Sequence, residues 1–312
     1  MTAPTDRADA VGVLCVGQST LDHVLFVPTV ITSGCKHVAD GFQVVGGGVA
    51  ANAAVAVSRL GGSSMLVSCV GDDPAGRTVL DGLTDEQVDT HLVRRVGSTP
   101  TPCSTIVVSS DGSRTVFNHT PAELFDQPCP PLDELAAHAV LTDCRWSAGT
   151  QAALRHADAH GVPSVVDVDR RIADPDTRRI VFELGSHLVF SEDALRDTTG
   201  CASSTDGLRA IAQQTDAHVS VTLGERGVRW IDGDLVESID AFAVDVVDTA
   251  AAGDVFHGAF ALALAEGLDE PAGFRFAAAA AALKCSRPGA RAGMPDRQTV
   301  DEFVAHSLTA AP

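Results

Sequence analysis

A segment of small residues towards the C-terminal end of the chain carries an acidic group suited to anion chemistry. Residues 247–258 read VDTAAAGDVFHG, and an Ala/Leu-rich stretch follows at 259–266. We predict a turn leading into a helix with Asp254 in its first turn. Small residues let backbone N–H groups approach an anion, and a helix N-terminus adds partial positive charge. Taken alone, Asp254 could instead serve only as a helix cap.

Three further motifs precede this segment in a fixed order. A glycine-rich run, GGGVAANAA, covers 46–54, and GDDPAG at 71–76 and TLGERG at 222–227 follow. Each motif alone is weakly specific. The ordered set spans nearly the whole chain, and it resembles the signatures of the ribokinase-like (PfkB) carbohydrate kinases.

The resemblance implies ATP-dependent phosphorylation of a sugar hydroxyl, with Mg²⁺. Asp254 would be the general base, and the backbone N–H groups of residues 251–254 would stabilise charge on the transferring phosphoryl group. The anion-hole residues would be Ala251, Ala252 and Gly253. The implied sugar contacts are Asp22, Gly47, Gly48 and Asn52, and the implied nucleotide contacts are Thr222, Gly224 and Gly227. Outside the resemblance, Asp22 could simply cap a turn.

One segment departs from the family pattern. Where the family usually has N-x-x-E, associated with hydrated Mg²⁺, this chain reads Ser191, Glu192, Asp193 and Ala194. Ser191 and Ala194 replace the two key residues, so Glu192 becomes the candidate for outer-sphere contact with the metal. The requirement for Mg²⁺ with ATP is unaffected.

Three polar residues in apolar surroundings bear on the substrate: Lys36, Asn118 and Arg145. Two cations and an amide that converge on one point would bind an oxyanion. Each residue alone could equally be a solvated surface group.

The segments 34–48, 143–146, 190–200, 244–258 and 281–296 are similar to those of bacterial sulfofructose kinases. That resemblance implies phosphorylation of O1 of 6-deoxy-6-sulfofructose to the 1-phosphate in sulfoglycolysis, with Lys36, Asn118 and Arg145 holding the sulfonate. Because two cations could also hold a phosphate or a carboxylate, fructose 6-phosphate and 2-keto-3-deoxygluconate are alternatives. Fructose is a further alternative substrate, and a non-catalytic sugar-binding regulator is the alternative function.

Alternating apolar runs and helical patterns surround these motifs. Strands are predicted at 11–16, 64–70, 139–141, 164–168, 187–190 and 218–223, and helices at 50–60, 74–82, 151–160, 178–184, 192–198 and 208–214. This order predicts an α/β fold, a doubly wound, mainly parallel sheet with helices on both faces. Two β-rich segments, about 24–45 and 98–120, are predicted to form a small antiparallel lid. We expect one kinase domain over 1–312.

Composition narrows the function classes. The chain has 312 residues, 45% of them hydrophobic, and a net charge of -19. This excludes a disordered protein, and the acidic charge argues against nucleic acid as a partner. No membrane span and no signal peptide are expected. The 31 Asp and 20 Arg against 10 Glu and 2 Lys fit either a halophilic source or a high-GC genome.

The eight cysteines are scattered without CxxC pairs or Cys/His metal spacing. This usage indicates reduced thiols, a cytoplasmic protein and no structural metal. The expected partners are ATP and a small sugar, with an anionic sugar favoured. A homodimer through the lids is also expected, because an open β layer exposes edges that need cover.

Overall fold

Apolar strands buried on both faces build a nine-stranded sheet, the large sheet. The structure is a computed structural model that describes residues 11–28, 36–111 and 113–309. Residues 29–35 of the predicted lid and Gly112 of its predicted turn lie outside these described residues. The large-sheet strands are β1 Gly12–Val16, β4 Ser63–Gly71, β5 Val93–Val96, β8 Ala139–Thr142, β9 Ser164–Val168, β10 His187–Ser191, β11 His218–Thr222, β12 Val228–Asp232 and β13 Leu235–Ile239.

The strand order is β13-β12-β11-β10-β9-β8-β1-β4-β5. Every neighbouring pair from β11 to β5 is parallel, while β12 and β13 add an antiparallel hairpin at one edge. The prediction of a doubly wound, mainly parallel sheet is confirmed. The edge hairpin was not predicted.

Helices cover both faces of the large sheet and bury its apolar side chains. They are α1 Val49–Arg59, α2 Pro74–Asp85, α3 Ala122–Phe125, α4 Ser147–His160, α5 Pro175–Leu184, α6 Glu192–Thr199, α7 Ser204–Ala212, α8 Ala252–Ala265, α9 Glu270–Cys285 and α10 Arg297–Thr309. Asp73, Asp174 and Asp269 cap helices whose first or second residue is proline. In the described residues, no helix is long and apolar enough to cross a bilayer.

A second sheet of four strands, the small sheet, lies outside the large one. It contains β2 Thr20–Val27, β3 Gly41–Gly47, β6 Cys103–Ser109 and β7 Arg114–His119 in the order β3-β2-β6-β7. The pairs β2–β3 and β6–β7 are antiparallel, but β2 and β6 are parallel. The prediction of a wholly antiparallel lid is therefore wrong at its centre. The reason is that the chain enters β2 and β6 from the carboxyl ends of the parallel strands β1 and β5.

Candidate active site

A cavity of about 570 Å³ lies between the small sheet and the start of α8. Alternate residues of the small sheet face it, because successive side chains of a strand point to opposite faces. Those lining residues include Asp22, Val24, Gln43, Ser104 and Asn118. The facing wall comes from α1, the turn before α8 and residues 288–290.

The turn before α8 lies on the wall of this cavity and carries backbone N–H groups. Ala251 has a left-handed φ of 61°, and α8 begins at Ala252. The N–H of Ala252 reaches the Thr249 carbonyl at 3.3 Å. Among the described residues, no acceptor meets the N–H groups of Ala251, Gly253 and Asp254. The turn therefore has free donors at a helix N-terminus, which is the arrangement expected of an anion hole.

Asp254 lies on the cavity wall, where its carboxylate is held by an amide. Asn52 Nδ2 of α1 donates to Asp254 Oδ2 at 2.7 Å. Burial raises the pKa of Asp254 to about 7, and the nearby Asp167 acts in the same direction, while the Asn52 hydrogen bond opposes the shift. A carboxylate of this basicity is suited to accept a proton near neutral pH.

Arg291, which was not predicted as a site residue, supports the hydrogen-bonded pair of Asn52 and Asp254. Arg291 is 8% exposed, and its Nε donates to Asn52 Oδ1 at 2.9 Å while its Nη2 donates to the Gly47 carbonyl at 3.1 Å. A Cβ on Gly46 would lie 2.1 Å from Arg291 Nη1, so glycine is required for this approach. The guanidinium thereby fixes the side chain of Asn52. In the sequence, Arg291 was marked only by its position in the segment 281–296, which resembles that of sulfofructose kinases.

Asp22 reaches the cavity from β2, next to the glycine-rich run. Thr20 Oγ1 donates to Asp22 Oδ1 at 2.8 Å. A Cβ on Gly47 would lie 2.0 Å from Asp22 Oδ2, so any larger residue at position 47 would clash with the Asp22 carboxylate. Burial raises the pKa of Asp22, whereas the Thr20 hydrogen bond and the nearby Arg291 act in the opposite direction. Asp22, Gly48, Asn52 and Asp254 all line one cavity, whereas Gly47, also predicted as a sugar contact, is not among its lining residues.

Asp248 joins the anion-hole turn to two other elements. Its Oδ1 accepts the N–H of Ala250 and its Oδ2 accepts the N–H of Gly289, each at 2.9 Å. The fully buried Lys284 of α9 donates from Nζ to the Asp248 carbonyl at 2.7 Å. Arg114 of the small sheet forms an ion pair with the same carboxylate. The anion-hole turn is therefore held both by the buried Lys284 of α9 and by Arg114 of the small sheet.

The three residues predicted to hold an anion are placed unequally. Asn118 on β7 and Arg145 after β8 line the cavity. Arg145 is bidentate to Asp169, with Nη1 3.0 Å from Oδ1 and a second contact from Nη2 to Oδ2. Lys36 is exposed and is not among the residues that line the cavity. Arg170 lines it as well and, within the described ranges, has no ion pair.

The predicted nucleotide and metal residues lie outside the cavity lining. Gly224 and Gly227 have φ of 60° and 79°, and a Cβ on Gly227 would lie 1.9 Å from the Ile239 carbonyl. Thr222 ends β11 beside this turn. Glu192, the first residue of α6, forms an ion pair with Arg226. Its carboxylate is therefore engaged by a cation of the protein.

The chain is similar to known proteins in both sequence and fold. Residues 12–297 match the family described as pfkB family carbohydrate kinase. Ribokinase of Bacillus subtilis is 30% identical over 93% of this chain and 99% of its own, and ribokinase of Haemophilus influenzae is 28% identical over 94% and 98%. A crystal structure of a protein from Agrobacterium tumefaciens superposes with a TM-score of 0.91 at 33% identity, over 97% of this chain and 100% of that one. Arabidopsis thaliana ribokinase complexed with ribose and ATP gives 0.81 at 26%, over 95% and 98%.

Proposed function

The chain belongs to the pfkB family of carbohydrate kinases, and from that premise we propose that it phosphorylates a primary sugar hydroxyl with Asp254 as the general base. The observation that carries this proposal is the Asp254 carboxylate, held by Asn52 beside the unpaired N–H groups of the turn that begins α8. The enzyme is an ATP-dependent sugar kinase, a phosphotransferase with an alcohol group as acceptor.

In the proposed reaction, the sugar hydroxyl gives its proton to Asp254. The hydroxyl oxygen forms a bond to the γ-phosphorus of ATP while the bond from that phosphorus to the bridging oxygen of ADP breaks. The N–H groups of Ala251 and Gly253 stabilise the charge on the transferring group. Arg291 keeps Asn52 in place, and Asn52 orients the base, while Asp22 accepts hydrogen bonds from other sugar hydroxyls.

Mg²⁺ fits the donors near this base. Magnesium keeps several waters and takes few protein ligands, mainly carboxylates. Asp167 Oδ1 is a buried carboxylate oxygen that has no hydrogen-bond partner in the part of the chain that the structure describes. Together with Asp167, Glu192 is a candidate for outer-sphere contact, once its pairing with Arg226 is released. When bound, the ion neutralises phosphate charge.

For the sugar itself, we propose 6-deoxy-6-sulfofructose, phosphorylated at O1. Asn118, Arg145 and Arg170 all line the cavity. A guanidinium has five N–H donors, so Arg145 retains donors for a sulfonate after its two bonds to Asp169. Lys36, on the small sheet's connecting segment, would join them when that sheet closes as a lid and excludes water. Fructose 6-phosphate would use the same cations.

A second candidate is a neutral sugar such as ribose. Two observations favour it: the charge of Arg145 is already balanced by Asp169, and the similar proteins from Bacillus subtilis and Haemophilus influenzae are ribokinases. The remaining groups, Asp22 and Asn52, suit neutral hydroxyls.

We also propose that the enzyme acts in the cytoplasm as a homodimer. The seven described free cysteines suit a reducing compartment. The face of the small sheet that points away from the cavity exposes Phe42, Val44 and Phe117 by 58%, 44% and 63%. These side chains lie on the two edge strands, β3 and β7, of the same sheet face, and exposed apolar side chains that cluster on one face mark interaction surfaces. The two small sheets would bury these faces against each other.

The substrate is tested by initial rates of ADP formation with Mg²⁺, comparing 6-deoxy-6-sulfofructose, fructose 6-phosphate, fructose and ribose. A kcat/KM preference for the sulfonate supports the anion site. A preference for ribose or fructose supports the neutral site and removes the role of Asn118 and Arg145. Sugar binding without ADP formation would contradict the kinase assignment.

A further inference from the structure

Two histidines and a glutamate meet at the edge of the large sheet opposite the cavity. His187 is the first residue of β10, His218 is the first residue of β11, and Glu270 begins α9. The sequence gives no hint of this meeting, because the three residues are far apart in the chain. None of them lines the cavity, which lies at the carboxyl ends of the strands.

The distances match the spacing of ligands around one small cation. Nε2 of His187 and Nε2 of His218 each lie 3.5 Å from Glu270 Oε1. The three ligand atoms all lie within 4.8 Å of one another. Around a tetrahedral ion with bonds of about 2.0–2.1 Å, neighbouring ligand atoms are separated by about 3.3 Å. Small side-chain rotations are therefore sufficient to bring the donors together.

The surroundings of the buried histidine accommodate the tautomer that a metal requires. With the His187 proton on Nδ1, that nitrogen donates to Ser186 Oγ at 2.9 Å while Ser186 Oγ donates to the Ser164 carbonyl at 3.0 Å. His187 Nε2 then presents a lone pair. Among the described residues it has no hydrogen-bond partner, although the side chain is only 9% exposed. Metal-bound histidines are characteristically oriented through their second nitrogen in this way.

The two imidazoles lie side by side at this edge of the sheet. The rings of His187 and His218 are stacked at 4.8 Å between centroids, and each presents a ring nitrogen to the same carboxylate. His218 is exposed, so its ring is free to turn towards the carboxylate.

We propose that His187, His218 and Glu270 form a site for a divalent transition metal ion of the Zn²⁺ class, completed by solvent. Two imidazoles and a carboxylate are a donor set that Zn²⁺ takes in proteins, and Mg²⁺ is poorly served by nitrogen ligands. The ion would cross-link β10 and β11 to the N-terminus of α9. The C-terminal turn of the same helix carries Lys284, so the ion stiffens the helix that supports the anion-hole turn.

The test is calorimetric titration of the metal-free full chain with ZnCl₂, for the unaltered protein and for His218→Ala and Glu270→Gln. We expect saturable binding that each variant weakens by about tenfold or more. His218 is exposed, so its replacement leaves the core intact. His91→Ala is the matched control, because His91 also pairs with a carboxylate, Asp89, at 2.8 Å on the surface.

Co²⁺ absorption separates this site from the cysteines. The expected spectrum shows nitrogen and oxygen ligation without thiolate charge-transfer bands, and it disappears in His218→Ala but not in His91→Ala. No saturable Zn²⁺ binding, or binding that is equal in the unaltered protein and both site variants, would overturn the proposal. Thiolate bands that persist in His218→Ala would overturn it too.

Discussion

The large and the small sheet differ in what covers their faces. The central strands of the large sheet, such as β8 and β9, are buried on both sides by helices. The small sheet has the cavity on one face and solvent on the other, and all of β7 is exposed. A sheet that is packed on both faces holds its neighbouring side chains in fixed positions. A sheet with one face in solvent is freer to move, and its residues are freer to differ between proteins. We infer that the helices packed on the large sheet carry the chemistry and that the small sheet selects the sugar.

The largest effect should come from the base on the large-sheet side. Asp254→Asn removes the proton acceptor while keeping its shape, and kcat should fall about 10²–10⁴-fold. Steady-state ADP formation measures the loss, and thermal unfolding should show an intact fold. Asp245→Asn, an exposed carboxylate just before the turn, is the control and should keep full activity. Turnover near that of the unaltered enzyme would refute the base assignment.

The buried cation beneath the anion-hole turn should matter next. Lys284→Met leaves the Asp248 carbonyl without its donor and lets the turn shift, so kcat should fall about 10²-fold. Sugar KM should change little, because Lys284 is not a cavity residue. Arg297→Met removes ion pairs on α10 and serves as the control. Equal losses in both variants would show that only general stability is involved.

On the small sheet, the expected effect is selective rather than catalytic. Asn118→Leu should raise KM for 6-deoxy-6-sulfofructose about tenfold, since a hydrogen bond to a charged group contributes about 1.5–3 kcal/mol. KM for fructose should stay the same. Thr115→Val, on the opposite face of β7, is the matched control. An equal rise in KM for both sugars would show that Asn118 does not bind the sulfonate.

The smallest effect on chemistry should come from the outer face of the small sheet. Phe117→Ser should convert a dimer into a monomer in sedimentation velocity with modest loss of kcat, because it removes an apolar contact and no cavity residue. Leu235→Ser, at a residue 64% exposed on β13, should leave the assembly unchanged. A monomeric unaltered protein at all concentrations would contradict the dimer.

The same contrast explains what could be predicted from the sequence. Strands of the large sheet are short apolar runs between helical patterns, so β9 and its neighbours were located closely. Asp254, Asn52 and Asp22 belong to local motifs and do meet in the cavity. The parallel pairing of β2 with β6 was missed, because it depends on where two distant connections leave the large sheet.

Contacts between residues far apart in the chain could not be predicted from the sequence either. Arg291 acts on Asn52 across 239 positions of the chain, and His187, His218 and Glu270 meet only through the packing of α9 against the sheet. Lys284 is one of only two lysines in the chain, but its burial under Asp248 follows from the fold alone.

The pH dependence of kcat/KM tests the central claim most directly. Asp254 must be ionised to accept a proton, and burial raises its pKa to about 7 in the free enzyme. The rate should therefore fall about tenfold per pH unit below about pH 7 and level off above it. Asn52→Leu removes a donor that lowers this pKa, so the fall should move to higher pH. A flat profile between about pH 5.5 and 8 would contradict a general base at Asp254.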